Sequence, residues 1–365
     1  MGTKKVGIVG GGQLGRMLAL AGYQLGIDCR LLEREPDSPG GQVAKLVAGA
    51  LDDPEALARL ADGVDVVTIE IENVAVAPLE ALAARVPVYP PPAAIAAAQD
   101  RLREKQLFGA LGIPSAAFAV VETADDLERA VRDVGVPLVL KLRRMGYDGR
   151  GQRVVRRAAD AAAAWAELGE GPAIAERWNE FEREVSLIAA RGAAGELAYY
   201  PLAENTHRDG ILQTTIAPYE DATLQRRAES WLAAILERFD YRGVLTVEFF
   251  ATGAGLVANE IAPRVHNSGH WTIEGAETSQ FENHLRAIVG WPLGDPRPRG
   301  YAAMVNLLGR VPSAAAVLAV PGAHLHDYGK PPRPARKVGH CTIVDRDRER
   351  LRERLGALRA ALGQE

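Results

Sequence analysis

The sequence predicts an α/β and α+β protein that opens on a doubly wound parallel sheet and closes on a small β-rich module. Three observations carry this. The first hundred residues alternate β-branched strands with apolar helices, the middle breaks into short strands around two helices, and a Pro/Arg-rich link at 292–299 precedes a last group of strands and one helix. A chain of 365 residues, 47% of them apolar, exceeds one ordinary core and suits two or three packed domains. The expected divisions are 1–99, 100–295 with a lid at about 117–190, and 296–365.

Lys4–Val9 is a β-branched strand that runs into the glycine turn Gly10–Gly15, and the apolar run Leu14–Leu25 reads as a helix stopped near Gly26. Cys29–Glu33, Val43–Ala48 and Val64–Ile69 continue as strands, with helices at Pro54–Leu60 and Pro78–Ala84. Val86–Pro92, with three consecutive prolines, marks the end of this unit. Arg101–Leu111 is a charged amphipathic helix stopped by Gly112 and Pro114. In the lid, strands Phe118–Val121, Leu138–Leu142, Ala173–Glu176 and Val185–Ala190 surround helices Ala124–Val134 and Ala158–Leu168. A helix at Leu224–Phe239 precedes the hairpin Val244–Ile261, and the chain finishes on a helix at Asp345–Leu362.

The formal net charge of −4 supplies no footprint for wrapping nucleic acid. The chain starts directly on a strand with no apolar leader, and no stretch is long enough to span a bilayer, so a cytoplasmic protein is expected. Cys29 and Cys341 read as two buried free thiols. Seven lysines stand against thirty-six arginines. Each lysine therefore invites a question.

Gly10-Gly11-Gly12-Gln13-Leu14-Gly15 matches the dinucleotide turn, with Glu33 eighteen residues beyond where a ribose-binding acid would sit. The physics is less specific than the motif. Glycines and a helix N-terminus accept any phosphate, so a dinucleotide, another phosphate-bearing ligand and plain tight packing all remain open.

On the strand ending at Leu142, leucines 138, 140 and 142 share one side, which leaves Lys141 facing a cleft or water. The basic, glycine-punctuated run Arg143–Gln152 follows, a loop able to close over a triphosphate. In the hairpin Val244–Ile261, Glu248 lies on the face opposite Leu245, Val247 and Phe249. A three-residue turn at Gly253–Gly255 would set Glu248 across from Glu260. Facing carboxylates repel unless a cation lies between them, and hard oxygen ligands beside phosphates point to magnesium. The polar run Arg264–Trp271 reads as an anion pocket beside that hairpin. Lys330, Arg333, Arg336 and Lys337 form either a solvated basic turn or a phosphate clamp.

With these residues assembled, the chain resembles the ATP-grasp superfamily, and within it the branch that carboxylates an aminoimidazole ribonucleotide. The likeness rests on GGGQLGRM at 10–17, DRLREKQLFGALGIP at 100–114, KLRRMGYDGRGQ at 141–152, YPLAENTHRDGIL at 200–212 and EIAPRVHNSGHWT at 260–272. Met145 stands where many members have glycine.

The resemblance implies an ATP-grasp fold with an N-terminal pre-ATP-grasp domain. Its implied reaction is ATP- and magnesium-dependent carboxylation of 5-aminoimidazole ribonucleotide by bicarbonate through carboxyphosphate, in purine synthesis. It also implies a homodimer. Arg101 and Lys141 would contact ATP phosphates under a closing loop of Gly146, Tyr147, Asp148, Gly149, Arg150, Gly151 and Gln152. Glu176, Arg177, Trp178 and Asn179 would line the adenine, with Glu184 on the ribose and His207 nearby. Glu248 and Glu260 would hold magnesium, assisted by Asn259. The ribonucleotide would lie between Gln13, Tyr147, Asp148, Arg150 and the clamp of Lys330, Arg336 and Lys337. Arg264, His266, Asn267 and Ser268 would surround bicarbonate, with Arg264 assisting phosphoryl transfer and Asp148 or His266 as base for the substrate amine. Two rival readings are an NAD-dependent oxidoreductase, which leaves the Lys141 strand and the acidic hairpin unexplained, and a nucleotide-binding protein without turnover.

Overall fold

A computed structural model describes residues 2–146 and 151–363. The chain opens on four parallel strands, β1 (Lys5–Val9), β2 (Asp28–Glu33), β3 (Lys45–Ala48) and β4 (Val66–Ile69), in the order β3-β2-β1-β4. Helices α1 (Gln13–Gln24), α2 (Pro54–Ala61) and α3 (Val76–Ala83) cover it. The glycine turn and the acidic stretch after β4 both leave the carboxyl edge of this sheet, where open α/β sheets place ligands. The proline run does not simply end the unit. Pro92 opens a further helix, α4 (Pro92–Ala98), because its fixed φ and missing N–H suit the first helical turn.

Helix α5 (Arg101–Ala110) leads into the second unit, capped by Asp100, whose carboxylate accepts from the amide of Leu102 at 3.0 Å. Strands β5 (Phe118–Val121), β6 (Leu138–Leu142), β7 (Gln152–Val155) and β8 (Ala173–Arg177) make an antiparallel sheet ordered β5-β8-β6-β7, backed by α6 (Ala124–Val134) and α7 (Ala161–Glu167).

The expected lid reached to about 190, but its last strand belongs elsewhere. Strand β9 (Arg183–Arg191) pairs along its whole length with β13 (Gly243–Thr252) in a nine-stranded sheet. Residues 185–190 are buried on both faces, with Val185, Leu187 and Ala189 in one core and Ile188 and Ala190 in another. A strand apolar on both faces is an interior strand, not the rim of a lid.

The rest of that sheet is β10 (Leu197–Tyr199), β11 (Ala203–Arg208), β12 (Ile211–Ala217), β14 (Gly255–Ala262), β15 (Tyr301–Leu308), β16 (Ala323–Asp327) and β17 (Lys337–Asp345). Helix α8 (Ala222–Arg238) packs on β9, and α9 (Gln280–Val289) joins the sheet to α1. The carboxy-terminal strands extend this sheet, β15 pairing with β12 from Thr214↔Val305 to Ala217↔Ala302. The final helix runs over Arg348–Leu362, starting later than Asp345 because Asp347 caps it through the amide of Arg350. Its Leu351, Leu355 and Leu358 share a core with β15 and β17. Cys29 and Cys341 are buried and free. Among the described residues no helix is long and apolar enough to cross a membrane.

Candidate active site

A cavity of about 700 Å³ lies where the three sheets meet. It gathers Gln13, Arg101, Lys141, Gly146, Gln152, Glu176, Arg177, Trp178, Asn179, Glu184, His207, Glu248, Asn259, Glu260, Arg264, His266, Asn267 and Lys337, all expected from the sequence. Tyr147, Asp148, Gly149 and Arg150 lie outside the described residues.

The acidic pair is where the hairpin was expected to put it, for a different reason. The turn holds two residues, since Thr252 pairs with Gly255, and that register alone would put Glu248 opposite Asn259. An irregularity between Glu248 and Phe249 in the pairing leaves Asn259 as an extra residue on β14, which moves Glu260 opposite Glu248. Burial first, and the Glu260 charge second, push the Glu248 carboxyl up to about 7. His266 Nε2 lies 3.4 Å from Glu248 Oε1. No cluster of three or more His, Cys, Asp or Glu able to hold a metal occurs among the described residues. Two carboxylates nevertheless fit magnesium, which keeps several waters and phosphate oxygens and asks one or two acids of the protein.

Lys141 is buried rather than solvated. Its ammonium donates to Glu176 at 2.8 Å and to Asn259 Oδ1 at 3.4 Å. Burial pulls its pKa down, partly offset by Glu176. Against the upward push of its own burial, Lys141 and Lys105 hold the Glu176 carboxyl down to about 2. Arg101 reaches Glu260 at 3.4 Å. Glu184 and His207 pair at 2.5 Å.

Neighbouring groups hold several side chains in and around this cavity. The Arg177 guanidinium donates to the carbonyl of Val134 at 3.1 and 3.0 Å, so its head is held by the helix of the small sheet. Arg143 spans Asp100 at 3.0 and 2.7 Å and Glu122 at 3.0 Å, tying the start of the loop to the cap of α5. Met145 adopts a left-handed φ of 63°, a conformation that favours glycine. Ser268, expected around bicarbonate, is fully buried behind His266, bonding Ser186 Oγ and His266 Nδ1 at 2.8 Å each. It supports the ring rather than lining the cavity. Both amide atoms of Asn267 lack partners among the described residues. Burial, with Arg264 and Lys337 nearby, holds His266 well below its ordinary pKa.

The glycine turn is filled by the chain itself. Glu70, just beyond β4, accepts from the amides of Gly12 at 2.5 Å and Gly15 at 2.6 Å, while Glu33 accepts from Gly11 at 3.2 Å. A Cβ at Gly12 would stand 2.5 Å from the Glu70 carboxylate. The donors that a dinucleotide needs are thus occupied, and close packing is the reading that fits these amides. Lys330 donates to the Gln13 side-chain oxygen, joining the basic turn to the rim of this site, while the Arg336 guanidinium lies against its own turn at Pro331 O, 3.5 Å away. Arg264 grips Glu72 through both carboxylate oxygens. Glu70, Glu72, Glu104 and Lys105 were missed from sequence. The available signals were an acid-rich exit from a parallel strand and a fourth questionable lysine.

Residues 3–99 match the family model described as a ribonucleotide synthetase preATP-grasp domain, 106–281 that of an ATP-grasp domain, and 302–354 that of a phosphoribosylaminoimidazole carboxylase C-terminal domain. The N5-carboxyaminoimidazole ribonucleotide synthase of Pseudomonas aeruginosa is 49% identical over 358 residues, 98% of this chain and 99% of its own. That of Escherichia coli is 40% identical over 356 residues, 97% of this chain and 94% of its own. The crystal structure of the synthetase from Thermus thermophilus matches with a TM-score of 0.95 at 51% identity, covering 99% of both chains. The Aspergillus clavatus enzyme in complex with ADP and 5-aminoimidazole ribonucleotide matches with 0.93 at 32% identity, again over 99% of both. The chain belongs to the N5-carboxyaminoimidazole ribonucleotide synthase family of ATP-grasp proteins.

Proposed function

We propose that this chain uses ATP to carboxylate 5-aminoimidazole ribonucleotide with bicarbonate, giving the carboxyamino product, ADP and phosphate. The observation that carries the reading is the meeting, in one cavity, of a buried lysine and a facing acidic pair with the polar Arg264–Asn267 segment. Bicarbonate is a poor electrophile. Transfer of the γ-phosphoryl group to one of its oxygens makes carboxyphosphate, whose carbon the substrate's exocyclic amine attacks, directly or after release of carbon dioxide, with phosphate leaving.

Each step asks something of the chain. Phosphoryl transfer needs positioning and charge neutralisation, which Arg101, at Glu260, and Lys141, at the neighbouring Asn259, would supply. Glu248 and Glu260 would hold magnesium, which supplies charge neutralisation at the phosphate oxygens. Arg264, fixed by Glu72, presents its cation next to His266 and Asn267, where bicarbonate would lie. His266, whose Nε2 edge lies 3.4 Å from Glu248 Oε1 beside the acidic pair, is one candidate base for the amine. Asp148 is the other. Glu176 to Asn179 would line the adenine and Glu184 the ribose. Gln13, Lys330, Arg336 and Lys337 would take the ribonucleotide end, with Tyr147 and Arg150 from the loop. We also infer a cytoplasmic homodimer as the working state.

The deciding measurement follows phosphate release with ATP, magnesium and bicarbonate, with and without the aminoimidazole ribonucleotide. Phosphate and carboxylated product should appear in equal amounts when the ribonucleotide is present. Phosphate release that ignores both bicarbonate and the ribonucleotide would overturn the reading.

A further inference from the structure

The bulge that creates the acidic pair is gripped from outside the hairpin. Arg101, Glu104 and Lys105 stand three and four residues apart on α5 and so share one face, which packs on β14. Lys105 donates to the main-chain oxygen of Asn259 at 3.1 Å, and Glu104 Oε1 accepts from the amide of Ile261 at 2.6 Å. One contact falls on the extra residue and the other just past Glu260. Both side chains are buried, at 1% exposure each. Lys105 also lies 3.3 Å from Glu176 Oε1, a contact of charge without hydrogen-bond geometry, so its directed bond goes to Asn259.

A bulge is an interruption of the ladder, and an unpinned one can slip by one residue. Slippage here would restore the register in which Glu248 faces Asn259 and would turn Glu260 to the other face. We propose that Lys105 and Glu104 are positioning residues that lock the Asn259 bulge, so that α5 sets the distance between the two acidic side chains of the site. Neither needs to touch a substrate. This rests on the reading of Glu248 and Glu260 as metal ligands.

The test compares Lys105→Met, Glu104→Leu and Glu104→Gln in the full chain, with Glu260→Gln as reference. The probe is Mn²⁺ binding in the presence of ADP, followed by electron paramagnetic resonance, alongside hydrogen exchange of the Ile261 amide in metal-free protein. Lys105→Met and Glu104→Leu should weaken Mn²⁺ binding about ten- to a hundredfold, the range for residues that orient metal ligands, and speed exchange at Ile261 in the Glu104→Leu protein. Glu104→Gln keeps an acceptor and should restore both readouts toward the parent. A general structural defect would not be rescued in that way.

If Glu260→Gln abolishes Mn²⁺ binding but Lys105→Met and Glu104→Leu leave it unchanged, the lock is wrong. If Glu260→Gln binds Mn²⁺ normally, the metal reading itself falls. Should Lys105→Met fail to fold, the Glu104 pair decides on the same readouts. If both Lys105→Met and Glu104→Leu fail to fold, the residues belong to the core and the proposal is overturned.

Discussion

Glu248 and Glu260 face each other across the hairpin because Asn259 is an extra residue in the second strand. The two acids line the cavity rather than a core, so their chemistry and the fold are separable. Replacing either with Gln is expected to lower magnesium-dependent kcat/KM by at least about a hundredfold, beyond the usual effect of an outer-shell change. The melting temperature should hold. Near-parental turnover of both variants at modest magnesium would remove the assignment.

Lys141 and Glu176 should separate binding from stability. Lys141→Met leaves Glu176 with Lys105, so no buried carboxylate is stranded. The expected result is a folded protein whose apparent ATP affinity falls about ten- to a hundredfold, the loss of one charged hydrogen bond. Glu176→Ala does the reverse, leaving two buried ammoniums without their shared anion. It should cost about 3–5 kcal/mol in urea unfolding. Equal stability of the two variants would contradict this division.

The filled glycine turn makes a negative prediction with a positive partner. Calorimetric titration with NAD(H) should give no binding signal, because the Gly12 and Gly15 amides already serve Glu70. Gln13→Ala should raise KM for the ribonucleotide while leaving KM for ATP alone, since Gln13 is joined to Lys330. An ATP-only defect would place Gln13 at the wrong end of the cavity.

Acid should unfold this protein early. His284 is buried against Thr68 at 2.8 Å and the Val244 amide at 3.1 Å, and burial pulls its pKa down to about 4. Burial also holds His270 and His340 well below the ordinary range. Below about 6.5 the unfolded chain takes up protons that the fold refuses, so the unfolded state binds more protons and stability rises with pH. The contribution is present above that value and is lost as pH falls from about 6.5 toward 4, roughly 3 kcal/mol for His284 alone. His284→Gln should flatten the pH dependence of urea unfolding across that window. An unchanged slope would show that the ring titrates normally.

Local pattern carried most of what was legible in the sequence. Alternation exposed Lys141 and the faces of the hairpin, turn chemistry marked the loops, and the scarcity of lysine singled out Lys141, Lys330 and Lys337. Lys105 escaped because its partner, the Asn259 carbonyl, is 154 residues away and is a main-chain atom without a side-chain signature. Glu70 escaped for the same reason, since its partners are two glycine amides. The acidic pairing was reached through a turn of the wrong length whose error the bulge happens to offset. The placement of β9 failed because a short apolar run does not say which sheet will bury it.

The ladder from β12 to β15 has a consequence for dissection of the molecule. Severing the chain in the 292–299 link would not free a spare appendage. It would leave β12 as a bare edge with Thr214 to Ala217 unpaired, an open template for other strands. A fragment ending at the link should therefore aggregate when made alone. Co-expressed with residues 296–365, it should recover a soluble two-chain protein, because that piece carries β15, the strand that pairs with this edge.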